Sequence, residues 1–224
     1  MLKFYYKELS LYSRPVWITL LEKQIPFKLI NLSLDGDQWQ PEFLAINPFG
    51  RVPVLVDDDF SVFESLAILD YLELQYPSPA FLPTDIKIIT IVRMIEMLTI
   101  HELIPAMVTI FRATDNASSI EKANQQIMAM LGFLEQRLID NLYLAGDRIT
   151  YAEIVAGSII LWLPYIDIDL SNCPQVELWS KKLMQRAAWQ KTQPNPQVIQ
   201  NWLQRIKKLP KIRERQWKQK RQAT

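Results

Sequence analysis

Every stretch of this 224-residue chain with strand character lies before the prolines Pro77, Pro79 and Pro83, and the stretches after them carry helical periodicity. That segregation calls for two packed units, a sheet with helices and then helices alone. In the first unit, Leu2 to Tyr6 reads as an aromatic-rich strand and Lys7 to Ser13 as a polar connection. Arg14 to Lys23 reads as a helix, with Pro15 in the first turn, where a missing N–H costs nothing. Phe27 to Leu32 reads as a second strand. Val52 to Val56 and Phe60 to Phe63 are two more, joined by the turn Asp57-Asp58-Asp59. Leu66, Ile68, Leu69 and Leu72 then recur at helical spacing between Glu64 and Pro77. The order β-α-β-α-β-β-α predicts a mixed four-stranded sheet with helices on its faces.

A polar connector, 79–85, separates this first domain, 1–78, from a second one, 86–224. Helices are expected from Ile86 to Phe111, Ile120 to Leu138, Gln175 to Trp189 and Gln197 to Lys208. Thr150 and Glu153 have capping-box spacing, each side chain set to accept the other's backbone amide, and Ile149 and Ile154 hold the staple positions. The almost wholly apolar run from Val155 to Leu163 predicts a buried helix at the centre of the second domain. Met128 and Met130 read as core filler.

Charge and cysteine usage narrow the function classes. The formal charge is +1, which offers no global field for nucleic acid, yet 205–221 holds nine Lys or Arg against one Glu, a net +8 against −7 for the remainder. For this tail a solvated basic helix and an acidic partner are both open. The lone Cys173 forbids an internal disulfide and fits a reducing, cytoplasmic setting. MLKFYYKELS has no signal-peptide pattern, and no run of eighteen uncharged apolar residues predicts a membrane span. No metal site is expected. His101 lies in HELIP, where Pro105 takes the place of the second histidine of H-E-x-x-H, and three adjacent aspartates in a tight turn rarely converge on one ion.

The residues that carry chemistry gather in NPFGRVPVLVDDDFSVFESLAILDYL, from Asn47 to Leu72. Glu64-Ser65 opens a helix, and a helix N-terminus holds a carboxylate on its unpaired amides while Glu64 can take an ammonium group. Arg51 can give a second carboxylate a charge-assisted bond worth about 1.5 to 3 kcal/mol. Between the first strand and the first helix, Ser10-Leu11-Tyr12-Ser13 has serines at both ends, so no disulfide forms or exchanges there.

With Val52-Pro53 beside them at these spacings, these residues resemble the glutathione transferase family, and the resemblance covers essentially the whole chain. It implies a thioredoxin-like α/β first domain, an all-α second domain, and a cytoplasmic homodimer of the serine type, close to the theta-like bacterial class. It also implies a cis Val52–Pro53 peptide, with Val52 pairing with the cysteinyl unit of glutathione. Glu64 and Ser65 would hold the γ-glutamyl unit, and Gln38 and Arg51 the glycyl carboxylate, with Trp39 as the alternative to Gln38. Ser10 resembles the serine that donates to the glutathione sulfur and favours thiolate. Ser13, Tyr5 and Tyr6 stay open as rivals, as does the absence of any single essential residue; Ser13 also reads as a helix cap, and strand alternation puts one of the two tyrosines in the core. Lowering a thiol pKa from about 8.5 by two units takes about 2.7 kcal/mol. One hydrogen bond to the charged form supplies about 1.5 to 3 and a helix N-terminus about 0.3 to 1 more.

The resemblance further implies a pocket for a hydrophobic electrophile between the Ser10 loop and the long helix. Leu11, Pro105, Met107, Val108 and Phe111 are its candidate lining, with Trp202 or Trp217 as a roof. The implied activity is conjugation of glutathione thiolate to small hydrophobic electrophiles, a detoxification reaction with glutathione as co-substrate and no resident cofactor. A glutathione-dependent dehalogenase, isomerase or peroxidase and a non-catalytic binding module of the same fold are the alternatives. Glu153, where the family's capping motif has Asp, and Ala187 after Arg186, where it has Pro, bear on subclass.

Overall fold

The computed structural model describes residues 1–112 and 116–204. Strand β1 (Leu2–Tyr6), helix α1 (Ser13–Glu22) and strand β2 (Phe27–Asn31) form a parallel β-α-β unit. Helix α2 (Pro41–Leu44), strands β3 (Val54–Asp57) and β4 (Phe60–Phe63) and helix α3 (Ser65–Gln75) complete the expected order. The sheet runs β2-β1-β3-β4, and β3 is antiparallel to both its neighbours. Alternation along β1 buries Leu2, Phe4 and Tyr6 and leaves Lys3 outside. In β3, Val54, Leu55 and Val56 are all buried because this central strand is covered on both faces. Leu55 joins Phe4, Val16, Leu20, Ile68 and Leu72 in the main core; Val54 and Val56 pack with Phe43 of α2 on the other side. The strand begins at Val54, two residues later than expected, since Pro53 has no N–H for the ladder.

In the second half, α4 (Ile86–Leu98) continues through a π turn, Thr99–Leu103, into α5 (Ile104–Arg112). Pro105 has no N–H to offer the carbonyl of His101, and the wider turn shifts the ladder past it. Although Ile86–Arg112 is long and apolar enough to cross a membrane, Val92, Ile95, Leu103, Ile104, Met107 and Phe111 are buried within the protein. Helix α6 (Ala117–Ile139) starts three residues earlier than expected because Asn116 caps it through the Ser119 amide.

The apolar run after Glu153 is not one regular helix. It is a π turn (Glu153–Gly157), a short α7 (Ser158–Ile160) and a 3-10 turn (Leu163–Ile166). Gly157 lets Leu183 and Trp189 press against it: a Cβ there would lie 2.4 Å and 2.8 Å from their side chains. The capping pair is also modified. Glu153 is wholly buried and accepts the amides of Leu144 (2.6 Å) and Thr150 (2.8 Å) together with the Thr150 hydroxyl (2.8 Å). The Thr150 hydroxyl in turn accepts the amide of Ala152, not that of Glu153.

The helix expected from Gln175 to Trp189 is two, α8 (Pro174–Leu183) and α9 (Ala187–Lys191). The break falls at Arg186, whose extended backbone sends its guanidinium to Glu22 of α1 at 2.5 and 2.8 Å. A last helix, α10, covers 196–204. The basic stretch from Arg205, Lys208 as a helix end, and Trp217 lie outside the described residues.

Candidate functional site

Strand register decides which loops meet. Tyr6 pairs with Asn31, Tyr5 with Val54, and Val54 with Phe63. The C-terminal ends of β1, β2 and β4 therefore lie level with the N-terminal end of β3. The segment after β1 carries Ser10, the one before β3 carries Arg51, Val52 and Pro53, and the one after β4 carries Glu64 and Ser65. All three emerge at one end of the sheet.

Ser10 is half-buried, and its Oγ accepts the Ser13 amide at 3.2 Å. With that lone pair engaged at the start of α1, the hydroxyl hydrogen is left to donate outward. Ser13, the expected cap, is 1% exposed and is itself capped by Ser10. Its Oγ has no hydrogen-bond partner among the described residues. Tyr6 is packed against Phe4 and Trp17, with ring centroids 5.7 and 4.9 Å away, and burial pushes its phenol pKa up. Tyr5 lies against Phe43 at 5.7 Å on the other face of the sheet.

The Val52–Pro53 peptide is cis, as the resemblance implies. Buried Asn47 shapes the turn before it, donating to the Arg51 carbonyl (2.8 Å) and accepting the Phe49 amide (3.0 Å). Gly50 sits at φ 59°, and a Cβ added there would meet the Trp39 ring at 2.6 Å. Trp39 thus lies against the Arg51 turn. Gln38 is committed to its own loop, accepting the Gly36 amide (3.0 Å) and donating to the Leu34 carbonyl (3.3 Å). Arg51 is exposed and has no ion-pair partner among the described residues.

Glu64 is likewise exposed and unpaired, with φ at 70°. That left-handed backbone turns the chain directly into α3, so Ser65, 5% exposed, is its first residue. Among the described residues no side chain caps this helix. Its first amides are open to an anion.

Of the expected apolar lining, Leu11, Met107 and Phe111 are buried in the main core, Val108 packs partly against it, and Pro105 is exposed. Trp202 of α10 lies on Phe111 and Trp162, with ring centroids 5.4 and 5.8 Å apart. A cavity of about 670 Å³ lies elsewhere, between Pro83, Asp85 and the stretch from Asp140 to Arg148, and none of the expected site residues lines it. Among the described residues no cluster of His, Cys, Asp and Glu is placed to hold a metal ion. Asn47 and Gly50 gave a signal as turn residues, but their role in shaping the Arg51 turn was not assigned from sequence.

Residues 4–80 match the sequence family described as glutathione S-transferase, N-terminal domain, and 86–187 the glutathione S-transferase C-terminal domain. Glutathione S-transferase F10 of Arabidopsis thaliana is 32% identical over 82% of this chain and 93% of its own. A maleylacetoacetate isomerase of Rattus norvegicus is 29% identical over 80% and 86%. Among solved structures, glutathione transferase F7 of Populus trichocarpa superposes with a TM-score of 0.77 at 26% identity, over 86% of this chain and 97% of that one. Ure2p in complex with glutathione has the same fold, with a TM-score of 0.79 at 24% identity, over 86% and 97%.

Proposed function

We propose, from the premise that this chain belongs to the glutathione S-transferase family, that it is a serine-type transferase conjugating glutathione to small hydrophobic electrophiles. One observation carries the reading: the free hydroxyl hydrogen of Ser10, the cis-Pro53 turn, the unpaired Arg51 and the uncapped start of α3 behind Glu64 converge at one end of the sheet. In this reading the α3 amides and Ser65 take the γ-glutamyl carboxylate and Glu64 its ammonium group. Val52 pairs with the cysteinyl backbone, and Arg51 takes the glycyl carboxylate. Trp39 against Gly50 is better placed than the engaged Gln38 to flank that end.

Ser10 then donates to the sulfur and favours thiolate, the proton passing to solvent. The thiolate attacks an electrophilic carbon, forming a C–S bond as a halide or other leaving group departs with the electron pair. No resident cofactor or metal takes part; glutathione is the co-substrate. The electrophile would enter between the Ser10 loop and α5, beside the partly buried Val108 and Trp202, and detoxification in the cytoplasm is the proposed role. Exposure of Phe49 (59%), Phe60 (55%), Met94 (48%) and Met97 (50%) supports a homodimer that covers them.

Calorimetric titration with glutathione, run beside conjugation assays on aryl halides and isothiocyanates, tests the reading. Millimolar-range or tighter binding with turnover is expected; no binding at millimolar glutathione would sink it. Similarity to the isomerase favours one second reading, glutathione-dependent cis–trans isomerisation at the same site. Turnover of a conjugated cis-enone without net glutathione consumption would select it.

A further inference from the structure

Resting on the glutathione reading above, we propose that the Tyr12 phenol is a second donor to the bound sulfur, acting alongside Ser10. Tyr12 stands just before the first turn of α1, two residues after Ser10, at the sheet end where the Arg51 and Glu64 loops also emerge. Unlike Tyr5 and Tyr6, whose rings are packed on the two sheet faces, it is 37% exposed. Its hydroxyl has no hydrogen-bond partner among the described residues.

Position along the ligand follows from its neighbours. Glu64 and Arg51 come from different loops and are the partners of the tripeptide's two charged ends, and the phenol lies close enough to feel both charges. The phenol is on the loop that also carries Ser10, and in this reading it meets the ligand at the cysteinyl sulfur, which lies between those two ends. Partial burial and then the Glu64 charge raise the phenol's pKa, against a smaller opposing effect of Arg51, so it remains a protonated donor at neutral pH. Two hydroxyls from one loop would share the task of holding the thiolate.

The test is the ultraviolet titration of bound glutathione's thiolate in the wild type, Tyr12→Phe and Ser10→Ala, with the affinity for S-methylglutathione measured in parallel. Because the phenylalanine removes only an oxygen at an exposed ring, the fold is expected to persist. Tyr12→Phe should raise the apparent thiol pKa by about one unit, a tenfold loss of thiolate, and leave S-methylglutathione affinity within about twofold. An unmoved thiol pKa overturns the assignment, whether or not affinity falls. If the wild type binds and ionises glutathione but Tyr12→Phe titrates identically, only Tyr12 loses its role. If the wild type does not bind glutathione, the functional reading fails and takes this one with it.

Discussion

The hydroxyl of Tyr151 lies 3.0 Å from Oε2 of Glu73, joining a buried phenol of the helical domain to a buried carboxylate of the sheet domain. The same carboxylate takes Lys23 at 2.8 Å and, through its other oxygen, the Phe81 and Leu82 amides at 2.9 Å each. Lys23 spends its remaining hydrogens on the carbonyls of Tyr76 (2.8 Å) and Pro79 (2.7 Å). Within this network Lys23 and both oxygens of Glu73 are satisfied. Such a network is weak evidence for net stabilisation but makes the removal of one member expensive.

Lys23→Met should therefore destabilise the protein by about 3 to 5 kcal/mol, because it leaves Glu73 charged and underpaired in the interior. Urea unfolding followed by tryptophan fluorescence gives the midpoint. A shift no larger than that of an ordinary surface variant would mean the seam admits water.

Glu96 supplies a pH dependence. Its side chain is buried, Arg93 reaches one oxygen at 2.8 Å, and the other has no partner among the described residues. Burial pushes its pKa up from 4.5 to about 7, with Arg93 opposing and Asp70 reinforcing. Between those values the folded protein holds a proton that the unfolded chain has released, so stability falls as pH rises through the window. Glu96→Gln should flatten the decline in melting temperature from pH 5 to pH 8 and raise the value at pH 8. A residual slope is expected from Glu153, raised to about 7 chiefly by burial. An unchanged slope would show that Glu96 does not titrate there.

Ser10→Ala removes a hydroxyl with two tasks. Loss of its bond to the Ser13 amide should cost about 0.5 to 2 kcal/mol of stability, read by thermal unfolding. Loss of its hydrogen should raise the bound thiol's pKa by one to two units, about ten- to a hundredfold less thiolate at neutral pH. Conjugation at an unchanged rate would remove Ser10 from the mechanism.

Arg51→Ala should weaken glutathione binding by about ten- to a hundredfold, the loss of one charge-assisted bond, with the thiol pKa nearly unmoved. Glutathione amidated at its glycyl carboxylate supplies the control. The wild type should discriminate against it and the variant should not; equal discrimination by both would place that carboxylate elsewhere.

Much of the site could be read along the chain because its parts are local. The Val52-Pro53 pair and the Glu64-Ser65 helix start each lie within a few residues, and the turn and cap chemistry that shapes them is encoded at those same positions. What escaped was contact at long range. Glu73, Lys23 and Tyr151 sit 50 to 128 positions apart in the chain and carry no joint pattern. Tyr12 carries no local signal between its two serines, and only the neighbouring loops make its phenol a candidate. Conversely, Leu11, Met107 and Phe111 read as pocket lining, but nothing local tells an apolar side chain facing a cleft from one closed into the core.

Hydrophobic periodicity, proline placement and helix-start signals, all properties of neighbouring residues, determined the element order and the division between a sheet unit and a helical unit. Tertiary structure alone decided which hydroxyl is free. Ser10 and Ser13 are chemically the same, and it was the folding of the loop onto α1 that sealed Ser13 in the core and turned the Ser10 oxygen to the Ser13 amide. The sheet register likewise brought Arg51, Glu64 and Tyr12 together. Their spacing in sequence says nothing of that meeting, because it depends on three strands ending at one level.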